Sequence, residues 1–318
     1  MGPPEDLRSR ARDALAQFFF PQPFEALVPN AAGLDLGRVS SIYDAYCSNI
    51  EGLHATITGP YSLALNAAYQ QHSTRISIAE RIRSLKRAPG EISSPELALE
   101  KEKAAAIAAN KIMQEWFGSA EGQQQVVEDC LKFLQHALSQ GAFAESAAEL
   151  IRQGTTLSWS AFEVCARDSI VFALNSSPHR ITALLESPSV KRRVDLSRVS
   201  IDTLIENDFN LSGRMGSILA SQQDMSDLTS IKAICRALFS DDEELRKLLD
   251  EDQLRLLSLR RNLIVHRCGI VDAEYNKRTG ADLEVGRKIQ ITPDELEQHI
   301  VAAGAAAVGI MRCASKCC

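Results

Sequence analysis

The sequence predicts an all-α protein, and three observations support that class. Ala and Leu, both strong helix formers, are abundant, while aromatic residues make up only 6%. Apolar residues recur at helical spacing in one run after another, and Pro, Gly and Asn clusters punctuate the runs. Neither an internal repeat nor strand alternation strong enough for a sheet is present. The 318 residues, 45% hydrophobic and 24% charged, suffice for one large domain or two ordinary ones.

Each element follows from local signals. Phe24–Val28, among Pro, Asn and Gly, is a short entry segment. From Asp35 to about Thr58, Val39, Ile42, Tyr43, Tyr46, Ile50 and Leu53 fall at helical spacing until Gly59-Pro60 interrupts them. Ser62 to Leu85 is a second helix. Arg75, Arg81, Arg83, Lys86 and Arg87 make its end basic, which suits the negative end of the helix dipole and reads as a solvated face. A connector over 88–95 ends in Ser94 as cap and Pro95 at the first helical position. Helices over Glu96 to Phe117 and Gln123 to Leu138 follow, ended by Gly118 and Gly141. Ala144 to about Leu174 is one long helix or two joined near Gly154. Its stripe of Leu157, Phe162, Val164, Cys165, Ile170, Val171 and Phe172 is that of a buried core helix.

Beyond Asn175-Ser176-Ser177-Pro178 the pattern turns irregular, with capped short helices expected near Asp195-Leu196-Ser197 and 207–211. Asp227 to Leu238 is amphipathic. Acids at 241–244 open the next helix, expected to run unbroken from Glu243 to about Arg267 with Gly269 as its left-handed cap. A linking segment turns at Gly280 and Gly286 and includes Lys288–Ile291 as a short extended piece. Thr292-Pro293-Asp294-Glu295 has the form of a capping box. It opens a helix from Asp294 to about Cys313, whose small face, from Ala302 to Gly309, invites a close neighbour. The expected division is an N-terminal helical region over 1–140, of unknown role, and a helical bundle over 141–318.

Charge and cysteine usage bound the function. A formal net charge of −6 gives no overall field for nucleic acid, so a polyanion site must be a local patch. The start lacks a basic segment before an apolar run, Phe18-Phe19-Phe20 is too short for a signal core, and no stretch is long enough for a membrane span. A cytoplasmic location without membrane association is expected. Among the eight cysteines there is no C-x-x-C pair. Cys165 and Cys235 lie on apolar stripes and are expected as buried thiols. The Cys313…Cys317-Cys318 tail has no second ligand pair for zinc and reads as a frayed end. No metal or cofactor is expected. His54, His72, His136, His179 and His299 have no partnered spacing and read as surface or packing residues.

One segment carries chemistry: Leu259-Arg260-Arg261-Asn262-Leu263-Ile264-Val265-His266-Arg267-Cys268-Gly269. At about 100° per residue, Asn262 and His266 share a helix face, and the long Arg261 side chain can bend toward it. Leu259, Leu263 and Ile264 supply an apolar side. Imidazole titrates near neutrality and can take or give a proton. Guanidinium stays charged, grips phosphate oxygens and can offset charge building in a phosphorane-like transition state. The amide could hold a phosphate oxygen or orient the imidazole. In RNA the 2′-hydroxyl supplies the nucleophile, so this set can act without a metal. Between Gln253 and Ile291 eight basic residues stand against four acidic ones, a local +4. Arg255, Arg260 and Arg267 are the expected RNA-binding residues. The same spacing also arises from cations that merely complement a helix C-terminus.

Arg261-Asn262-Leu263-Ile264-Val265-His266 resembles the R-x4-6-H signature of HEPN domains, including the polar residue after the arginine. The continuation Gly269-Ile270-Val271-Asp272-Ala273-Glu274-Tyr275 with Gly280 and Gly286, and the Trp159–Asp168 helix, resemble the RiboL-PSP-HEPN type. The resemblance covers about 145–314. It implies an antiparallel bundle of four or five helices, metal-independent endoribonuclease activity and a homodimer whose two motifs face one cleft. Carried over, Arg261 binds and stabilises phosphate, Asn262 assists and His266 does acid–base work. Glu163 and Arg167 resemble an acidic-x3-basic support element, or form a plain helix-surface ion pair. The resemblance also implies a stress or phage-defence effector with an antitoxin or regulatory protein as partner. Some members of the family bind RNA or protein without cutting, and that alternative stays open.

Overall fold

The computed structural model describes residues 18, 21–22, 24–28, 31, 34–85, 94–191, 201–206, 208–222 and 225–317. The chain is all-α, as its composition and periodicity predict. In order the helices are α1 (Phe24–Leu27), α2 (Leu36–Ile57), α3 (Gly59–Leu85), α4 (Pro95–Gly118), α5 (Ala120–Leu138) and α6 (Gly141–Ser176). A 3₁₀ turn at Pro178–Arg180 leads to α7 (Ile181–Glu186), α8 (Pro188–Lys191), α9 (Ile201–Glu206) and α10 (Met215–Gln222). The last group is α11 (Leu228–Leu238), α12 (Glu243–Asp250), α13 (Asp252–Arg267), α14 (Ala273–Thr279) and α15 (Pro293–Ser315). Among the described residues the only β pairing is an isolated antiparallel bridge between Ile270 and Lys288. No helix among them is long and apolar enough to cross a membrane.

Two compact units form, one from 58–147 with the residues before 22, the other from 22–57 with 148–318. The sequence boundary near 140 follows chain order, whereas packing assigns 22–57 to the second unit. The stripe of α2 explains this: Val39, Tyr46, Ile50, Leu53 and Ile57 are all buried, and α15 packs on that helix.

In the first unit α3, α4 and α5 pack together. Tyr61, Ala64, Ala68, Val126, Cys130 and Leu134 form its centre, with Trp116 and Phe117 against them. Ser94 caps α4, accepting from the Leu97 N–H at 3.1 Å, with Pro95 following as predicted. Gly122 fits only as glycine, since a Cβ there would lie 2.0 Å from the Trp116 carbonyl oxygen.

In the second unit α15 is the common neighbour. It packs against α1, α2, α12 and α13. The predicted capping box starts it: the Glu295 N–H donates to Thr292 Oγ1 at 3.2 Å, and the Thr292 N–H donates to Glu295 Oε2 at 2.8 Å. Its small face works as expected, since a Cβ at Gly309 would lie 2.9 Å from Leu248 Cδ1 of α12. The long helix α6 is single and unbroken. Gly154 is not its joint but its contact, where a Cβ would come within 2.8 Å of both Ile57 Cγ2 and Leu296 Cδ2. Cys165 and Cys235 are buried, as expected of packing thiols, and burial pushes the Cys165 thiol up to about 12.

Several expectations require correction. The helix expected from Glu243 to Arg267 is two helices, because Glu251 takes an extended ψ of 130°. Asp242 caps the first of them, accepting from the Leu245 N–H at 2.8 Å. The linking segment contains α14, which Asp272 caps through the Tyr275 N–H at 2.7 Å and Gly280 closes at φ 73°. The C-terminal tail does not fray over its described residues: helix α15 continues to Ser315, and Cys313 and Cys317 are buried. Burial pushes the Cys313 thiol up to about 12. The expected cap near 195–197 lies outside the described residues.

Two glycines should respond in opposite directions. Gly216→Ala forces a Cβ to 2.3 Å from the Val171 carbonyl oxygen and should lower stability by about 1–3 kcal/mol. Gly52→Ala, in open space on α2, should raise it by up to about 1 kcal/mol. Urea midpoints of the two variants measure both.

Candidate nucleic-acid site

Helix α13 owes its rotation to its apolar residues. Leu254, Leu257, Leu259, Leu263 and Ile264 are buried, so Val265, His266 and Arg267 are left on the outside. Its end is built to stop there. Cys268 and Gly269 both take left-handed backbone, φ 52° and 75°, and the Gly269 N–H returns to the Leu263 carbonyl at 3.1 Å. The left-handed turn thus begins one residue before the glycine expected to supply it. Left-handed geometry costs a non-glycine residue about 1–2 kcal/mol.

The following chain fastens this end. The Ile289 N–H donates to the Gly269 carbonyl at 2.8 Å, the Val271 N–H to Arg287 at 2.9 Å and the Gly286 N–H to Val271 at 2.9 Å. The extended piece predicted at 288–291 is the partner in this ladder. Arg152 of α6, 1% exposed, runs beneath it, with Nη1 3.4 Å from the Ile289 carbonyl and Nη2 2.8 Å from Glu149.

An open cleft of roughly 410 Å³ lies beside α13. Arg261, Asn262, His266 and Arg267 line it, together with Asp272, Glu274, Tyr275 and Arg278 from the α14 region and Ser226 and Asp227 ahead of α11. Arg261 and His266 therefore share one opening. Arg261 is one-fifth exposed and held from two sides: Nη1 donates to Asn262 Oδ1 at 3.0 Å, and Nη2 lies 3.6 Å from Glu163 Oε2. Glu163 Oε2 also accepts from Trp159 Nε1 at 2.9 Å. The exposed His266 ring makes no hydrogen bond to any described side chain, so it is open to a ligand.

The expected RNA-binding arginines separate. Arg260 is withdrawn from solvent, because one residue's rotation from Arg261 turns it to α15. Its Nη2 donates to Glu295 Oε1 at 2.6 Å and its Nη1 to His299 Nε2 at 2.7 Å. Its guanidinium is committed to a partly buried cluster and does not line the cleft. Arg255 lies outside the cleft lining and ties the helices together, donating to the Arg278 carbonyl at 2.9 Å and pairing with Asp252 at 3.2 Å. Arg267 does line the cleft and pairs with Asp272 at 3.3 Å. Of the expected supporting pair, Glu163 reaches Arg261, while half-exposed Arg167 pairs with adjacent Asp168 at 3.4 Å.

The local +4 of the sequence does not become a uniformly cationic face. Arg261, Arg267 and Arg278 line the cleft against Asp227, Asp272 and Glu274. Two of these carboxylates have structural work. Asp227 caps α11 through the Thr229 and Ser230 N–H groups at 2.8 and 2.9 Å, and Asp272 caps α14. The sequence reading missed Glu274, Tyr275 and Arg278 as lining residues. Asp272 as a cap, with 274 and 278 four apart, was the available signal. Nothing local ties Ser226 and Asp227 to this cleft.

The chain matches no family model, no curated protein and no solved structure.

The arrangement can bind a phosphate through Arg261 and its arginine neighbours and can exchange a proton through His266. The Arg260 cluster supports α13 from behind. Burial, then the Arg260 charge, pushes the His299 imidazole down to about 4. At Glu295 burial acts upward, but the Thr292 N–H and Arg260 outweigh it and hold the carboxyl below its ordinary value.

Acid should therefore weaken this unit. Unfolded His299 takes a proton near pH 6.5, the folded residue only near 4, so the unfolded chain binds more protons in that window. Stability falls as pH drops through it, by up to about 3 kcal/mol. Urea titrations at pH 7.5 and 4.5 should show the loss, with a flatter dependence in His299→Gln. Arg260→Ala should cost about 2 kcal/mol, below the range for a fully buried pair because Glu295 is 36% exposed.

Proposed function

We propose that the chain is a HEPN-type, metal-independent endoribonuclease, with Arg261, Asn262 and His266 as its working residues. The observation that carries the reading is the shared opening: an exposed, unengaged His266 imidazole and a braced Arg261 guanidinium line one cleft. In this reading Arg261 binds the scissile phosphate and offsets the charge of the transition state. His266 moves a proton between the reacting oxygens and solvent, and the RNA 2′-hydroxyl attacks the adjacent phosphorus, releasing the 5′-oxygen and leaving a cyclic phosphate. Asn262 holds Arg261 through its amide oxygen. A two-fold pairing of chains would bring a second imidazole to the same phosphate, so that one could act as base and the other as acid.

A second reading has an observation of its own. With three arginines against three carboxylates and Arg260 withdrawn, the cleft is modestly charged, which suits a module that binds RNA or a partner protein without cutting.

Purified protein with total RNA and excess EDTA tests the first reading. Cleavage should persist in chelator and yield cyclic phosphate ends. Arg261→Ala and His266→Ala should each lower it about a hundredfold or more, while leaving the thermal midpoint within a few degrees. Uncut RNA, or equal cutting by His266→Ala, would sink the nuclease. Sedimentation that finds only monomer at micromolar concentration would remove the paired site.

A further inference from the structure

Of the six charged side chains of the cleft, Arg261, Arg267, Asp227 and Asp272 have partners within the fold, and Glu274 and Arg278 have none among the described residues. Asp227 and Asp272 cap helices, and Asp272 also holds Arg267. Glu274 lines the cleft, is exposed, and has no hydrogen-bond or ion-pair partner among the described residues. Arg278 lies four residues on, one turn along α14, in the order that ordinarily favours an ion pair. Yet Arg278, which also lines the cleft, has no partner for its guanidinium among the described residues, and only its backbone carbonyl is engaged, by Arg255. Two residues one turn apart on α14, both without a side-chain partner among the described residues, thus line the same opening.

A ligand made of phosphate alone would be repelled by Glu274. One that carries both a phosphate and a pair of hydrogen-bond donors would satisfy both ends. Tyr275, 6% exposed, and Leu263, 5% exposed, also line the cleft, and their accessible edges add apolar surface to it. The cleft volume, roughly 410 Å³, falls within the range of small-ligand pockets and admits about one nucleotide.

We propose that Glu274 reads the nucleobase of RNA in this cleft and selects guanine, while Arg278 holds a neighbouring phosphate. A carboxylate has two acceptor oxygens and no donor. Guanine alone among the four bases offers two parallel donors on one edge, its N1–H and N2–H. Adenine and cytosine each offer one amino group beside an acceptor that faces the carboxylate unfavourably, and uracil offers a lone N3–H between two carbonyls. This inference rests on the reading of the cleft as an RNA site but not on cleavage.

Binding therefore tests it, with the full chain and uncleavable probes. Labelled 2′-O-methyl pentamers UUGUU, UUAUU, UUCUU and UUUUU are titrated by fluorescence anisotropy. The wild type should bind UUGUU about tenfold tighter than UUAUU. Glu274→Gln, which replaces one acceptor by a donor at an exposed position, should reduce that preference to within about twofold while keeping its thermal midpoint. Arg278→Ala should weaken all four probes alike. Equal binding of the four probes by wild type, or an undiminished guanine preference in Glu274→Gln, overturns the base reading and leaves the RNA cleft standing. If none of the probes binds, the RNA reading of the cleft falls and this inference falls with it.

Discussion

Close approach to α15 is the constraint on which the second unit depends. Gly309 lets Leu248 come in, and Gly154 of α6 lets Leu296 and Ile57 meet above it. Interiors are packed densely enough that one added methyl at such a point displaces the facing side-chain ends rather than fills a void. Helices α6 and α12 thus come close to α15 at these points, while α13 packs on α15 with a rotation set by its own buried Leu254, Leu257, Leu259, Leu263 and Ile264.

That rotation sorts the adjacent arginines. Arg260 faces α15 and gives its charge to Glu295 and the neutral ring of His299. Arg261, about 100° further round, faces the cleft and meets Glu163. The two residues are alike in sequence and opposite in use. A helix interface consumes the first charge, which is why a positive stretch along the chain becomes a cleft with nearly balanced charge.

Much of the fold was legible in the sequence because the signals were local. Ser94-Pro95 and Thr292-Pro293-Asp294-Glu295 each give a cap whose partners lie within three residues, and both form. The stripe on α2 announced burial but not against what, since its partner α15 lies far away in the chain. The break at Glu251 was missed because no Gly or Pro marks it. The cleft was half legible. Arg261 and His266 lie on one helix, where spacing gives direction. Glu274 and Arg278 come from α14, whose placement depends on tertiary contacts such as Arg255 to the Arg278 carbonyl. The separation of Arg260 from Arg261 was not legible, because adjacency in sequence says nothing of which neighbouring helix will occupy the facing side.

The ladder behind α13 has a kinetic consequence. Helix ends ordinarily fray, and their amides exchange with solvent at nearly the rate of an open chain. Here the turn after His266 is stitched to the strand-like return at 286–289 and underlain by Arg152. Release of that last turn requires the return segment to let go as well, so the two open as one cooperative piece. The backbone that carries His266 is thus fixed by the fold itself while the ring stays exposed, so a ligand at the ring would leave little backbone ordering to be lost.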